Sequence, residues 1–214
     1  MGKFKAALFD FDGTLVDTED QYTVIWGQIA RRFRPDIPRL EYIIKGTTLK
    51  QIMERYFPDP KIQEEINDIL NEAEANMRYE LIPGAKEFLK DLMSHGVKCI
   101  VVTSSNQTKM NSVRRRMPGF DELFDRVLMS EDFKASKPDP YCYLLGAKIT
   151  ESDISECVVF EDAFTGLQAG MSSGIYTIGV ATNNPREAIV DKCNFVIDDF
   201  TELSFEKVQK MINP

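Results

Sequence analysis

Two acidic residues follow the first apolar run of the chain at a spacing that suits catalysis. Residues 6–9 are apolar, and Asp10 and Asp12 come directly after them with only Phe11 in between. Because Gly13 permits a sharp turn, the second carboxylate can fold back towards the first. One carboxylate could then attack a substrate or bind a metal ion while the other transfers a proton.

The same short motif also occurs in calcium-binding loops and in ordinary turns. An EF-hand loop beginning at Asp10 would need Glu at its twelfth position and a helix before it. The twelfth position is Gln21, and the preceding residues predict a strand. Catalysis is therefore the favoured interpretation of the motif, and an ordinary turn remains the alternative.

A second pair of acids, Glu161 and Asp162, follows the apolar run 157–160. Adjacent negative charges at the end of a strand repel each other unless a cation lies near them. Mg²⁺ is the natural cation, because it accepts one or two carboxylates together with waters and phosphate oxygens.

Hydroxyl groups and a lysine stand at two further strand ends. Thr103 and Ser104 follow the apolar run 97–102 and lead into a helical pattern, where hydroxyl and N–H groups can bind phosphate. Simple helix capping would account for the same residues. Lys137 comes shortly before a predicted helix that is capped by Asp139 and begins at Pro140, and a fixed ammonium there could bind a transferring phosphoryl group. A solvated surface lysine is the alternative.

The elements that would position these residues alternate along the chain. Short, mostly β-branched or aromatic runs predict buried parallel strands, and the stretches between most of them have helical periodicity. The pattern predicts a doubly wound, Rossmann-like α/β sheet, in which sites form beyond the carboxyl ends of the strands. The predicted strands are 6–9, 97–102, 127–129, 157–160, 175–180 and 195–197.

One long segment interrupts the alternation with apolar residues at helical spacing and no convincing strand, such as Tyr22, Trp26 and Ile29. We predict an inserted α-helical cap domain. Its boundaries are 18–80, and residues 1–17 and 81–214 form the α/β core. Helices that merely pack on the sheet are the alternative, although a crossover between strands rarely needs so many residues.

The composition of the chain argues against several classes of protein. The formal net charge of −8 opposes binding to nucleic acid, which depends on many Lys and Arg contacts to phosphates. No run of about 18 apolar residues predicts a membrane span, and no lipidation or secretory signal is recognised. Scattered cysteines without close pairs are typical of reduced thiols, so we expect a cytoplasmic protein. We also expect the protein to be a monomer. The cysteines are Cys99, Cys142, Cys157 and Cys193.

The chain has a single histidine, His95, which lies at the end of a helical pattern. A site built from several histidines is therefore impossible, and a Ser-His-Asp triad would have to use this residue. We expect His95 to have a structural role at the helix C-terminus.

Four motifs in fixed order resemble the signature of the haloacid dehalogenase superfamily. They are DFDGT at 10–14, VVTSS at 101–105, SKPDP at 136–140 and VVFEDAFTGLQAG at 158–170. The chain is most similar to the branch with a helical cap between the first two motifs. That branch includes phosphoglycolate phosphatases, sugar-phosphate phosphatases and β-phosphoglucomutases.

The resemblance implies a role for each acid. Asp10 would be the nucleophile that forms an aspartyl-phosphate, and Asp12 would be the general acid and base. Mg²⁺ would be held by Asp10, the backbone carbonyl of Asp12, Glu161 and Asp162. The dehalogenases of the superfamily lack an acid at the position of Asp12, so its presence favours phosphate esters as substrates.

The resemblance also implies phosphate-binding residues and a specificity loop. Thr103, Ser104 and Lys137 would bind the phosphoryl oxygens. In the cap, Tyr22, Lys45, Thr47 and Lys50 are the candidate specificity residues. The chain departs from β-phosphoglucomutases here, because Leu49 stands where those enzymes have a phosphate-binding arginine and Tyr22 where they have a histidine. Lys45 or Lys50 could supply a compensating charge, or both could be solvated.

We therefore expect a Mg²⁺-dependent phosphatase of small phosphorylated metabolites. The first alternative is a hexose-phosphate mutase similar to β-phosphoglucomutase. The second is a non-catalytic signalling module that accepts phosphate on Asp10. The substrate, including whether pyrophosphate is accepted, stays open at this point.

Overall fold

A six-stranded parallel sheet forms the centre of the protein in a computed structural model that describes residues 3–45 and 47–213. The strand order is β5-β4-β1-β6-β7-β8, so the chain winds outwards in both directions from β1. This confirms the predicted doubly wound sheet. In chain order the strands are β1 (Ala6–Phe9), β2 (Val16–Asp17), β3 (Glu80–Leu81), β4 (Lys98–Val102), β5 (Arg126–Leu128), β6 (Cys157–Glu161), β7 (Tyr176–Val180) and β8 (Phe195–Ile197).

Both faces of the sheet are buried, which is why its strands are almost continuously apolar. Alternate residues of β1 point to opposite sides: Ala7 and Phe9 belong to one apolar cluster, and Ala6 and Leu8 belong to another. The ring of Phe9 stacks on Phe160 of β6 with 4.6 Å between centroids. The central strands are thereby fixed against each other directly beneath the strand ends that carry the acids.

Helices cover the two faces of the sheet. Apolar residues of α5, α6 and α10 contribute to the first cluster, and those of α7 and α8 to the second. The helices are α1 (Glu19–Phe33), α2 (Leu40–Ile43), α3 (Leu49–Tyr56), α4 (Pro60–Asn76), α5 (Ala85–Ser94), α6 (Gln107–Arg116), α7 (Tyr141–Ile149), α8 (Phe164–Ser172), α9 (Arg186–Ile189) and α10 (Phe205–Ile212). In the described residues, none of them is long and apolar enough to cross a membrane.

The helices between the first two sheet strands bury a core of their own. Trp26 of α1 packs against Phe57, and Ile66 and Leu70 of α4 join the same cluster. A separate apolar core is what an inserted domain requires. We call α1 to α4 and their connections the cap; the boundaries at 18 and 80 stay a prediction.

A short antiparallel ribbon, β2 and β3, lies where the chain leaves the core and where it returns. Val16 pairs with Leu81, and Asp17 pairs with Glu80. We predicted no strand here, because two residues are too few to produce a periodic pattern.

Helical periodicity predicts helices over 140–147 and 185–192, and the structure differs from both predictions. The segment 185–192 contains only the four-residue helix α9. Helix α7 starts one residue later than expected, although Asp139 still accepts a hydrogen bond from the backbone N–H of Tyr141.

His95 ends helix α5, as expected. Its ring stacks on Phe205 with 4.2 Å between centroids, and its Nδ1 lies 2.9 Å from the carbonyl oxygen of Asp91. These contacts fit a structural role. All four cysteines are free, and three of them are buried.

Candidate active site

A cavity of about 380 Å³ lies between the carboxyl ends of β1, β4 and β6 and the cap. It brings together residues from all four sequence motifs. The predicted site residues that line it are Asp10, Asp12, Thr103, Ser104, Lys137, Glu161 and Asp162 from the core, and Tyr22, Lys45 and Thr47 from the cap.

The turn after β1 is fitted closely against Asp162. Gly13 has a φ of +80°, and a Cβ atom there would overlap the carboxylate oxygen Oδ2 of Asp162. The hydroxyl of Thr14 donates a hydrogen bond of 2.7 Å to Asp162 Oδ1. Glycine at this position therefore provides both the left-handed turn and the close approach of the two motifs.

Lys137 is the central cation of the core. Its Nζ lies 2.6 Å from Asp10 Oδ1, 2.6 Å from Glu161 Oε1 and 3.1 Å from the carbonyl oxygen of Val102. An ammonium has three protons to donate, and these three acceptors can take them all. The side chain is only 5% exposed, which contradicts the alternative of a solvated surface lysine.

Glu161 is held by several groups at once. Tyr143 donates a hydrogen bond of 2.7 Å to its Oε1, and the backbone N–H groups of Asp162 and Ala163 donate to its Oε2. A Cβ atom on Gly166 would overlap the Glu161 carboxylate. The first turn of α8 thus leaves the space that this buried carboxylate occupies.

Burial changes the proton affinity of the cluster. It raises the pKa of Asp10 to about 7; Lys137 opposes that rise, whereas Glu161 and Asp12 add to it. Burial, with Glu161 and Asp10 nearby, raises the pKa of Asp162 as well. For Lys137 burial acts to lower the pKa, but the neighbouring carboxylates outweigh it and the net change is upward.

The donor set fits a hard divalent cation. Oxygen atoms of Asp10, Glu161 and Asp162 all lie within 4.8 Å of one another. In the described part of the chain, Asn183 Oδ1 is the buried side-chain oxygen without a hydrogen-bond partner, and Asn183 lines the same cavity. Carboxylate and amide oxygens suit Mg²⁺, and a cation would offset the repulsion within the cluster.

These proton affinities predict how Mg²⁺ affects stability. In the unfolded chain the pKa of Asp10 returns to about 3.8, so the folded protein holds this proton more tightly. Protonated Asp10 therefore adds to the free energy of unfolding. This contribution is fully present below about pH 4 and is lost as the pH rises through about 7. Mg²⁺ requires ionised carboxylates, so its stabilising effect should be small near pH 5 and should grow up to about pH 7 to 8.

The measurement is the thermal unfolding midpoint with MgCl₂ and with chelator across this pH range, with NaCl at matched ionic strength as control. An equal or larger effect of Mg²⁺ at the acidic end would contradict the prediction that these carboxylates bind Mg²⁺.

Asp12 is bound by three side chains, of which Thr18 and Lys109 lie outside the four sequence motifs. Thr18 donates a hydrogen bond of 2.9 Å to its Oδ1, and Ser105 donates one of 3.0 Å to its Oδ2. Lys109 of α6 forms an ion pair with the same Oδ2. The carboxylate thus has a defined orientation at the cavity wall.

The hydroxyl-rich turn after β4 leads into the start of α6. Thr103 is buried and its Oγ1 accepts a hydrogen bond of 3.0 Å from the backbone N–H of Ser105, whereas Ser104 is exposed at the cavity. The side chain of Asn106 caps α6 by accepting from the backbone N–H of Lys109. The same turn therefore caps helix α6 and lines the cavity.

The four candidate specificity residues of the cap differ in their contacts and in whether they line the cavity. Lys45 forms an ion pair of 3.1 Å with Glu19, and Thr47 donates its hydroxyl proton to the carbonyl oxygen of Ile44. Lys50 is not among the described residues that line the cavity; it is 79% exposed. The Tyr22 hydroxyl donates a hydrogen bond of 2.7 Å to Glu74, so it lines the cavity already paired.

Lys109 is the most important residue that we missed. A lysine in the first turn of a helix opposes the positive end of the helix dipole, so it indicates an anionic partner nearby. That signal was present in the sequence.

A doubly wound sheet with a carboxylate cluster and a buried lysine at its switch point is typical of enzymes that act on phosphorylated substrates with a divalent cation. The chain belongs to the haloacid dehalogenase-like hydrolase family, whose profile matches residues 7–180. The predicted family and the predicted enzyme class are thereby confirmed.

Similar proteins have both of the activities considered above. The chain is 32% identical to hexitol phosphatase A of Escherichia coli, over 87% of this chain and 88% of that protein. It is 26% identical to β-phosphoglucomutase of Bacillus subtilis, over 85% of each. A solved structure of a family IA, variant 3 hydrolase from Entamoeba histolytica superposes with a TM-score of 0.86 at 26% identity, covering 98% of this chain and all of the other.

Proposed function

We propose that the protein is a Mg²⁺-dependent phosphatase of small phosphorylated metabolites that acts through an aspartyl-phosphate on Asp10. The observation that carries this proposal is the contact of Lys137 with both Asp10 and Glu161 at the cavity floor. A buried ammonium next to one carboxylate neutralises charge at a nucleophile that must approach a phosphate dianion. Family membership supports the same chemistry.

The reaction consists of two transfers. An Asp10 oxygen forms a bond to phosphorus, the bond from phosphorus to the leaving oxygen breaks, and Asp12 gives that oxygen a proton. Water then attacks phosphorus and gives a proton to Asp12 while the bond to Asp10 breaks and phosphate leaves. Thr103 and Ser104 bind the phosphoryl oxygens throughout, and Lys137 joins them by exchanging one of its three present acceptors for a phosphoryl oxygen.

Mg²⁺ would be held by Asp10, Glu161, Asp162 and the backbone carbonyl of Asp12. When bound, it would neutralise negative charge on the carboxylates and the phosphoryl group.

The cap favours a phosphatase over a mutase. A mutase must bind a second phosphate group, and Leu49 offers no charge for this purpose. The cations proposed as substitutes are poorly available, because Lys45 is paired with Glu19 and Lys50 is largely exposed. Glu41 and Glu74 also line the cavity and would repel a second anion. We therefore propose a phosphate ester with an uncharged leaving group. Its hydroxyl groups could donate hydrogen bonds to the carboxylates of Glu41 and Glu74.

A signalling module that only accepts phosphate is less consistent with this site. Such a module would need neither Asp12 as a proton donor nor a cap that encloses a cavity. Phosphate release with turnover would exclude such a module.

Phosphate release over a panel of esters tests the proposal. The panel should contain sugar phosphates, polyol phosphates, nucleotides, phosphoglycolate and pyrophosphate, each with Mg²⁺ and with chelator. We expect release from polyol or sugar monophosphates that disappears with chelator, because the clustered carboxylates need a cation to accept a phosphate dianion. Release that continues without a divalent ion would contradict the metal assignment.

The mutase alternative has its own measurement. β-Glucose 1-phosphate is supplied with and without a glucose bisphosphate, and both free phosphate and glucose 6-phosphate are followed. Because Lys45 is paired with Glu19 and Lys50 is largely exposed, we expect net hydrolysis that needs no bisphosphate. Isomerisation that exceeds hydrolysis by about tenfold would overturn the phosphatase proposal.

A further inference from the structure

Lys109 is a buried lysine of the candidate site that the four motifs do not include. It is 4% exposed, and its Nζ pairs with Asp12 Oδ2. A buried ammonium is strongly unfavourable without a partner, and the first turn of a helix adds further repulsion. Burying this ammonium therefore costs free energy, and the ion pair with Asp12 offsets that cost.

The surroundings of Lys109 come from both the core and the cap. Its Nζ lies 6.0 Å from the ring centroid of Phe11 and 4.8 Å from that of Tyr22. Tyr22 in turn donates its hydroxyl proton to Glu74 of α4, the cap helix that packs against α6. Burial raises the pKa of Glu74, and the positive charge of Lys109 opposes that rise. Among the residues that the structure describes, Asp12 in the core and Glu74 in the cap thus face this lysine.

The core then contains two buried lysines with separate tasks. Lys137 contacts Asp10 and Glu161, whereas Lys109 contacts Asp12. Asp10 and Asp12 therefore each form an ion pair with a different buried lysine.

We propose that Lys109 is a positioning residue for Asp12. This inference rests on the proposed function, in which Asp12 gives a proton to the leaving oxygen and later takes one from water. After the first transfer Asp12 carries a negative charge close to phosphorylated Asp10. Lys109 neutralises that charge and, with Thr18 and Ser105, holds the carboxylate in one orientation while it acts as a base. The second transfer therefore depends on Lys109 more than the first does.

The test uses p-nitrophenyl phosphate, whose leaving group needs little protonation, so capture of the phosphoryl group by Asp10 is fast. Lys109→Met keeps a similar length without the charge. With the full-length variant in Mg²⁺, we expect a rapid release of nitrophenolate equal to the enzyme present, followed by steady turnover about tenfold or more below wild type. The KM should not rise, because Lys109 acts on Asp12 and not on the ester.

Three further variants separate positioning from a general structural effect. Lys109→Arg keeps the charge and should recover much of the steady rate. Arg115→Met removes a charge from the exposed side of the same helix and should match wild type. In an Asp12→Asn background, Lys109→Met should lower kcat by less than about twofold, because its target is already lost. If Lys109→Met does not fold, Lys109→Gln replaces it.

A Lys109→Met enzyme with wild-type turnover would overturn the inference, as would a rise in KM at unchanged kcat. A full additional loss in the Asp12→Asn background would also overturn it. The proposed function fails separately, if wild-type protein with Mg²⁺ releases no phosphate from any ester. An active wild type with an unaffected Lys109→Met variant would remove only the role of Lys109.

Discussion

Replacing Asp10 with asparagine is expected to abolish turnover, with a loss of roughly a thousandfold or more in kcat. The amide has nearly the size of the carboxylate but is not a nucleophile, so no aspartyl-phosphate can form. Lys137 keeps its contacts with Glu161 and the Val102 carbonyl, and its contact with Asp10 is replaced by one with an amide oxygen. The fold should therefore survive, and phosphate release together with circular dichroism measures both parts.

Asp20→Asn is a matched control, because Asp20 is an exposed carboxylate at the start of α1. It should retain wild-type activity. If folded Asp10→Asn protein kept about a tenth of the wild-type rate, the covalent mechanism would be wrong.

Lys137→Met should have the second largest effect, and it should reduce both activity and stability. The substitution leaves Asp10 and Glu161 buried without their common cation, and breaking a buried ion pair typically costs about 3–5 kcal/mol of unfolding free energy. Loss of charge neutralisation at the nucleophile should also lower kcat by at least about a hundredfold. Urea denaturation with chelator and phosphate release with Mg²⁺ measure the two effects.

The loss of stability in Lys137→Met should be smaller near pH 5 than near pH 8, because the pKa of Asp10 of about 7 allows this carboxyl to be protonated in acid. Lys90→Met is the control, since Lys90 is exposed on α5. A Lys137→Met variant that is as stable as Lys90→Met at both pH values would show that the contact with the two acids does not support the fold.

The sheet and the core of the site could be predicted from the sequence for a physical reason. Strands buried on both faces must be nearly continuous apolar runs, and parallel strands bring their carboxyl ends to one edge. The acids after β1 and β6 could therefore be placed together from their positions in the sequence. The ribbon of β2 and β3 could not be predicted, because strands of two residues are too short to show a periodic pattern.

The ion pairs that side chains form were harder to predict than the strand ends at which those side chains lie. The ion pair between Lys109 and Asp12 joins residues far apart in sequence, and nothing local specifies it except an unfavourable charge at a helix start. The cap lysines show the same difficulty. Lys45 and Lys50 are close in sequence, yet one is paired beside the cavity and the other is exposed. Their difference depends on the conformation of the cap, which a charge pattern does not specify.

The most direct test of the central claim is to find the phosphoryl group on the protein itself. Wild-type protein with Mg²⁺ and p-nitrophenyl phosphate is quenched in acid during turnover, digested and examined by mass spectrometry. We predict one added phosphoryl group on the peptide that contains Asp10, sensitive to hydroxylamine, and none in the Asp10→Asn variant. A phosphoryl group found on another residue during turnover would contradict the assignment of Asp10 as the nucleophile, as would undiminished phosphate release by Asp10→Asn.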